Sequence, residues 1–238
     1  MPNKIALITG VGPGTGSSLA RCFHAEGYKV AMLARNNERL KSLEKELPGS
    51  KGFICDVRNP DSINKTVKNA IEELGQPDTF IHNAVRGVRG SFLDFTPEDL
   101  QSNFDTNVMA LLRISQLLCP SMIEKKSGSV IVTGNTSAHR GKAEFGGTAS
   151  TKAAQKILCE SMARYMGPKG VHVAYITIDA AIDVPWTREM WPEKSADYFI
   201  NPDDIANEAL HLVKQKKSAW TFDHWVRPYG EVWYVLVN

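Results

Sequence analysis

The sequence predicts a doubly wound α/β fold, one parallel sheet with helices on both faces, from three observations. Short apolar runs alternate with longer stretches of helical period. Several runs, such as KVAMLA (29–34) and SVIVTG (129–134), are apolar at consecutive positions, as strands buried on both faces are. The first run ends in a glycine-rich turn, TGVGPGTG (9–16), that leads into a helical pattern. Such alternation joins parallel strands through right-handed crossovers.

In chain order, strands are expected at KIALIT (4–9), KVAMLA (29–34), GFICD (52–56), DTFIHN (78–83), SVIVTG (129–134) and VHVAYITI (171–178). Amphipathic helices are expected over Ser17–Glu26, Asn37–Leu47, Asp61–Leu74, Pro97–Met122 and Thr148–Met166. Thr96 before Pro97 supplies an N-cap and a first-turn proline, and Gly75 and Gly167 stand where helices should stop. With no repeats or linkers, the chain reads as one domain over 1–238, carrying an insert at about 183–200.

A hydrophobic content of 42% and a charged content of 23% suit a globular chain with a real core. The net charge of +2 points to neither nucleic acid nor an anionic membrane, and no apolar run has the length of a membrane span. MPNKIALITG enters a strand at once, leaving no room for a targeting peptide, so a cytoplasmic location is expected. Cys22, Cys55, Cys119 and Cys159 are widely spaced, which favours reduced core thiols over disulfides or a metal site. All five tryptophans lie beyond residue 185, a composition that fits packing, a subunit interface or an aromatic substrate pocket.

A glycine-rich turn between a strand and a helix lets backbone amides approach a pyrophosphate, whose charge the helix N-terminus favours. The second strand ends in Ala34-Arg35-Asn36, where an NAD-type site places a carboxylate for the ribose hydroxyl. Arg35 suits the 2′-phosphate of NADP, which is therefore expected over NAD.

These motifs resemble the short-chain dehydrogenase/reductase family over essentially the whole chain, and hence a Rossmann fold. Thr9, Gly10, Gly14 and Gly16 match its TGxxxGxG turn, with Thr15 in place of the usual Ile and Pro13 removing one amide from the cradle. Asp56-Val57 matches the segment that lies near adenine in the family, and His82-Asn83-Ala84-Val85 keeps half of the Asn-Asn-Ala-Gly segment. The resemblance implies cofactor contacts from these positions, from Arg35, from Lys152 and from Ile182. It also implies a small-molecule substrate and a homodimer or homotetramer built on the long helices at 97–122 and 148–166.

The catalytic segment departs from the family. Asn107 and Lys152 match two members of the Asn-Ser-Tyr-Lys tetrad, while counting back from Lys152 puts Thr148 at the tyrosine and Asn135 at the serine. A phenol titrates near ~10 and can be tuned to donate a proton; an aliphatic alcohol is a far weaker acid. Thr148 and Asn135 are left as candidate hydrogen-bond donors to a carbonyl, and Lys152 as a holder of the nicotinamide ribose. His139, Asp179 and Asp183 are further candidate proton carriers, while Tyr175 reads as packing. Three functions stay open: an NADP-dependent oxidoreductase on a carbonyl or alcohol, a non-catalytic NADP-binding sensor or assembly protein, and a lyase or isomerase on the same scaffold.

Overall fold

The computed structural model describes residues 4–230. Its elements are β1 (Lys4–Thr9), α1 (Thr15–Ala25), β2 (Tyr28–Ala34), α2 (Asn37–Glu46), β3 (Lys51–Ile54), α3 (Pro60–Leu74) and β4 (Thr79–His82). After these come α4 (Pro97–Phe104), α5 (Ala110–Glu124), β5 (Ser129–Asn135), α6 (Gly146–Met166) and β6 (His172–Ile178). The chain continues through β7 (Ala181–Ile182), α7 (Pro185–Met190), β8 (Phe199–Ile200), α8 (Pro202–Lys214) and β9 (Asp223–Val226).

The main sheet is parallel throughout, in the order β3-β2-β1-β4-β5-β6-β9. β1 pairs with β2 on one side and with β4 on the other, so the strand order reverses there and opens a crevice at the carboxyl edge. Because every central strand is apolar on both faces, the sheet has two cores. Leu19 and Phe23 of α1, Leu40 of α2 and Ile205 of α8 fill one. Ile63 of α3, Leu111 and Ile114 of α5 and Cys159 of α6 fill the other.

The long helix expected at 97–122 is α4 and α5 joined through a π-helical turn at Asp105–Met109, which holds Asn107 buried. Thr96 caps α4 in a reciprocal capping box with Asp99. α1 starts two residues earlier than expected, within the glycine turn itself. β3 stops at Ile54, which leaves Asp56 and Val57 in the loop beyond it. The sheet also has a strand, β9, that the apolar runs did not reveal.

Cys55, Cys119 and Cys159 are buried and Cys22 is half-buried, all four as free thiols. Among the described residues no cluster of ligating side chains could hold a metal ion, and no helix is long and apolar enough to cross a membrane.

Candidate active site

A cavity of about 850 Å³ runs along the carboxyl edge at the reversal point. The glycine turn forms its floor; the loop after β2 and the first turn of α2 supply Arg35 and Arg39, and the loop after β3 supplies Asp56 and Arg58. Asn83–Arg86 and the segment Ala180–Trp191 bound the rest.

The turn is shaped by close backbone approach. Gly10 has φ 68°, and a Cβ there would lie 2.5 Å from the Ala84 Cα. A Cβ on Gly14 would lie 2.8 Å from a methyl of Val184, so the segment after β7 sits directly on the turn. Thr9 Oγ1 accepts from the Asn83 and Ala84 amides at 3.2 and 3.3 Å, tying the ends of β1 and β4 together. Asn83 donates to the Gly10 carbonyl at 2.9 Å and accepts from Thr133 at 3.0 Å; its side chain braces the turn.

α1 begins with no side-chain cap and no acidic residue in its first turn. Thr15 Oγ1, buried and on the cavity lining, has no hydrogen-bond partner among the described residues. An uncapped helix start with an orphaned hydroxyl, on a turn where a Cβ at Gly10, Gly14 or Gly16 would clash, fits a bound pyrophosphate. At the basic end, Arg58 pairs with Asp56 at 2.7 Å and holds its carboxyl below the usual range.

Gly10, Gly14, Thr15, Gly16, Arg35, Asp56, Val57, Asn83, Ala84 and Ile182 all line this cavity. Lys152, Asn107, Asn135 and Thr148 do not.

Lys152 is 1% exposed, and its Nζ donates to the Thr133 carbonyl at 3.2 Å and to Gln155 Oε1 at 2.9 Å. Burial pulls its pKa down to about 8. Its ammonium therefore lies inside the protein, off the cavity lining. His82, buried beneath the same region, is pushed down to about 3 by burial and by the Lys152 charge.

Gln155 continues the network by donating to the Asn107 carbonyl at 2.6 Å. Asn107 in turn exchanges two bonds with the Arg86 backbone, at 2.8 and 3.1 Å, and donates to Thr151 at 2.9 Å. Its carboxamide is wholly committed to pinning the loop after β4.

Thr148 donates to the Val88 carbonyl at 2.9 Å and accepts from the Val88 amide at 3.0 Å. A hydroxyl has one proton, and here the Val88 carbonyl receives it. Asn135 accepts from the Ser137 amide at 3.1 Å and caps the turn after β5.

The other candidates also have partners. Asp183 forms a two-pronged pair with Arg188 at 2.7 and 2.9 Å, which holds its carboxyl below the usual range rather than raising it into that of an acid catalyst. Asp179 lies between Arg140 and Arg227, at 3.9 and 3.6 Å. Tyr175 is fully buried against Gly134, as its packing role requires.

The tryptophans divide between two roles. Trp186 and Trp191 line the cavity; Trp220 stacks on His172 at 4.9 Å and Trp225 lies against His139 at 4.6 Å. Trp233 and Tyr234 fall outside the described residues. Asp223, His224 and Arg227 pair within the chain with Lys156, Glu208 and Asp179.

Residues 4–194 match the family described as short chain dehydrogenase. The chain belongs to that family. An uncharacterised oxidoreductase of Staphylococcus aureus strain USA300 is 27% identical over 230 residues, covering 96% of this chain and 98% of the relative. Carbonyl reductase [NADPH] 2 of Sus scrofa is 26% identical over 224 residues, covering 90% of each. Among solved structures, a metagenomic short-chain oxidoreductase in complex with NADP superposes with a TM-score of 0.82 at 23% identity, covering 94% of this chain and 96% of that one.

In this short-chain dehydrogenase, sequence reasoning found the cavity floor and missed part of its rim. Arg58, Arg86 and Thr106 line it and were not singled out. Arg58 had a signal, a cation two residues after Asp56. Gln155 had one too, since positions three apart share a helix face with Lys152.

Proposed function

We propose that this short-chain dehydrogenase is an NADP-dependent oxidoreductase acting on a carbonyl or alcohol compound, with an atypical catalytic site. One observation carries the reading: the cavity joins an uncapped helix start and its glycine turn to an end lined by Arg35, Arg39 and Arg58. Among the described residues, the one carboxylate on the cavity lining, Asp56, is ion-paired with Arg58. A 2′-phosphate there meets guanidinium groups, whereas NADH has no group to use them.

Within this reading the glycine turn and Thr15 hold the pyrophosphate, Arg35 holds the 2′-phosphate, and Ala84, Val57 and Ile182 flank the rings. The bound nicotinamide supplies hydride chemistry. Lys152 stays behind, bracing β5 and the π turn through Gln155, and Asn135 and Thr148 shape the loops around the reacting end. Trp186 and Trp191 give that end an apolar rim suited to a small organic substrate. Homo-oligomerisation through α5 and α6 belongs to the same reading, supported by the exposed Leu117 and Ile157 on those helices.

Calorimetric titration with NADPH and NADH tests the proposal. Micromolar NADPH binding, at least tenfold tighter than NADH, is expected; no binding of either nucleotide overturns it. A second reading, a non-catalytic NADP-binding protein, is favoured by the Thr148–Val88 bonds and the burial of Lys152. Nucleotide binding with no turnover of any carbonyl or alcohol in a broad panel would select it.

A further inference from the structure

Beyond the tetrad positions, a second line of polar side chains crosses the carboxyl edge of the sheet. His139 stands in the turn that follows β5, and its Nε2 lies 3.2 Å from Thr177 Oγ1 near the end of β6. Thr177 Oγ1 donates to Asp223 Oδ1 of β9 at 2.9 Å. Asp223 Oδ2 meets the Lys156 ammonium of α6 at 3.0 Å.

The order of donors fixes the histidine's tautomer. Thr177 has one hydroxyl proton and gives it to the Asp223 carboxylate, so toward His139 the same oxygen can only accept. Nε2 therefore carries the proton, and Nδ1 is left with its lone pair. Nδ1 makes no hydrogen bond among the described residues, and it is not among the buried orphan atoms. Asp223 stays ionised: burial pushes its carboxyl up, but the bonds from Lys156 and Thr177 outweigh that and leave it below the usual range. The Trp225 ring, 4.6 Å from the imidazole, fixes its orientation further.

The line lies on the edge where ligands of doubly wound sheets bind. Three residues beyond Thr177 the chain reaches Ala180, Ala181 and Ile182, which line the cavity. His139 lies outside the cavity lining, as do Asn107, Asn135, Thr148 and Lys152. It differs from them in carrying a titratable nitrogen, Nδ1, with no hydrogen-bond partner among the described residues, whereas the Lys152 ammonium is bonded to Thr133 and Gln155 and Asp183 is ion-paired.

We propose that His139 is the acid–base residue of this protein, with Thr177 and Asp223 as positioning residues that hold it in the Nε2–H tautomer and present Nδ1 to the substrate oxygen. This rests on the oxidoreductase reading above. In the reducing direction the carbonyl carbon gains hydride from the reduced nicotinamide, and the carbonyl oxygen gains the C=O π pair. Nδ1–H of the imidazolium gives its proton to that oxygen, forming the alcohol. The neutral imidazole keeps its Nε2–H on Thr177, and solvent restores the proton at Nδ1. No proton leaves Thr177 or Asp223.

Several charges act on the imidazole. Burial lowers its pKa first, Lys156 and Arg140 add to that, and Asp223 opposes them. Reduction is accordingly expected to slow as pH rises through the histidine's own titration.

The test combines ¹⁵N–¹H NMR of the histidine rings with NADPH consumption against a panel of alkyl and aryl aldehydes and ketones. At a pH where it is neutral, His139 should be in the Nε2–H tautomer; Thr177→Val should give a mixture of tautomers, and Thr177→Ser should restore the single one. His139→Asn should lower turnover about 10²–10⁴-fold, the usual span for general acid–base catalysis, and flatten the pH profile while leaving NADPH affinity unchanged. Thr177→Val should lower turnover and shift the profile, with Thr177→Ser recovering both. A resting Nδ1–H tautomer overturns the proposal, as does a His139→Asn variant with wild-type turnover and pH profile. In those two outcomes the oxidoreductase reading survives if the wild type consumes NADPH. Failure of the wild type to turn over anything in the panel overturns both.

Discussion

Thr148 and Val88 exchange two hydrogen bonds, hydroxyl to carbonyl at 2.9 Å and amide to hydroxyl at 3.0 Å. The β4–α4 loop is thereby latched onto the first turn of α6. Thr148→Val keeps the volume and takes the partner from both Val88 groups at a half-buried site, so a loss of about 0.5–1.5 kcal/mol is expected in urea unfolding. Thr148→Tyr, made to restore the tetrad, is expected to destabilise the chain rather than create activity. A ring at 148 would lose both bonds to Val88 and would have to shift the Gly87–Val88 backbone against which Thr148 sits. A gain of NADPH-dependent turnover in Thr148→Tyr, alone or with Asn135→Ser, would contradict this.

The Lys152 ammonium is held at about pKa 8 by burial, against ~10.4 for an exposed lysine. Between these values the unfolded chain binds a proton that the folded chain has released, so stability rises with pH across roughly 8 to 10.4. Below pH 8 both states are protonated and the desolvation cost is present in full, on the order of 3 kcal/mol. Lys152→Met is expected to stabilise the protein at pH 7, by less than that because Thr133 and Gln155 lose a donor, and to flatten the rise above pH 8. Denaturant titrations from pH 7 to 10 check both. A variant less stable than wild type at pH 7 would mean that the ammonium's two bonds outweigh its desolvation.

Two glycines are fixed by what a methyl would strike. At Gly16 a Cβ would run into the Gly10 carbonyl oxygen and the Val11 backbone, which cannot move without opening the turn. At Gly134 it would enter the ring of Tyr175, which is fully buried. Gly16→Ala should cost stability and weaken NADPH binding by at least tenfold. Gly134→Ala should cost about 3 kcal/mol or more, as overpacking at an immobile ring does, and leave the nucleotide affinity of the folded fraction unaltered. Thermal melts with and without NADPH separate the two.

Arg35 follows β2 and lines the basic end of the cavity. Arg35→Asp replaces a guanidinium with a carboxylate at the point proposed for the 2′-phosphate, adding repulsion to a lost ion pair. NADPH affinity should fall by about 10–100-fold, corresponding to ~1.4–2.8 kcal/mol, while NADH affinity should hold or improve. Equal losses for both nucleotides would point to a structural role for Arg35.

Much of the fold was legible because parallel strands buried on both faces write themselves as continuous apolar runs. β9 was not, because it is an edge strand whose residues, DHWV, are at most half-buried, with Trp225 exposed. The π turn at 105–109 escaped because the apolar period of α4 and α5 runs through it with no breaking residue. At the site, the glycine turn, Arg35 and Ile182 follow from backbone placement, which a motif encodes directly. The direction of the Lys152 side chain does not. It depends on Gln155 and the Thr133 carbonyl offering bonds inside the protein, a competition between partners that spacing alone cannot rank.

That competition is testable through Gln155. Its Oε1 accepts from Lys152 and its Nε2 donates to Asn107, so one side chain closes the gap between α6 and the π turn. Gln155→Leu leaves a buried ammonium with the Thr133 carbonyl alone and an orphaned Asn107 carbonyl, a combination expected to cost about 3–5 kcal/mol. In a Lys152→Met background the same change no longer strands a charge, and only the Asn107 carbonyl suffers. The double-mutant cycle should therefore be non-additive by about 1–3 kcal/mol, with the double variant more stable than Gln155→Leu alone. Additive losses would mean that Lys152 and Gln155 are not energetically coupled, and that the lysine is free to turn toward the cavity when a nucleotide occupies it.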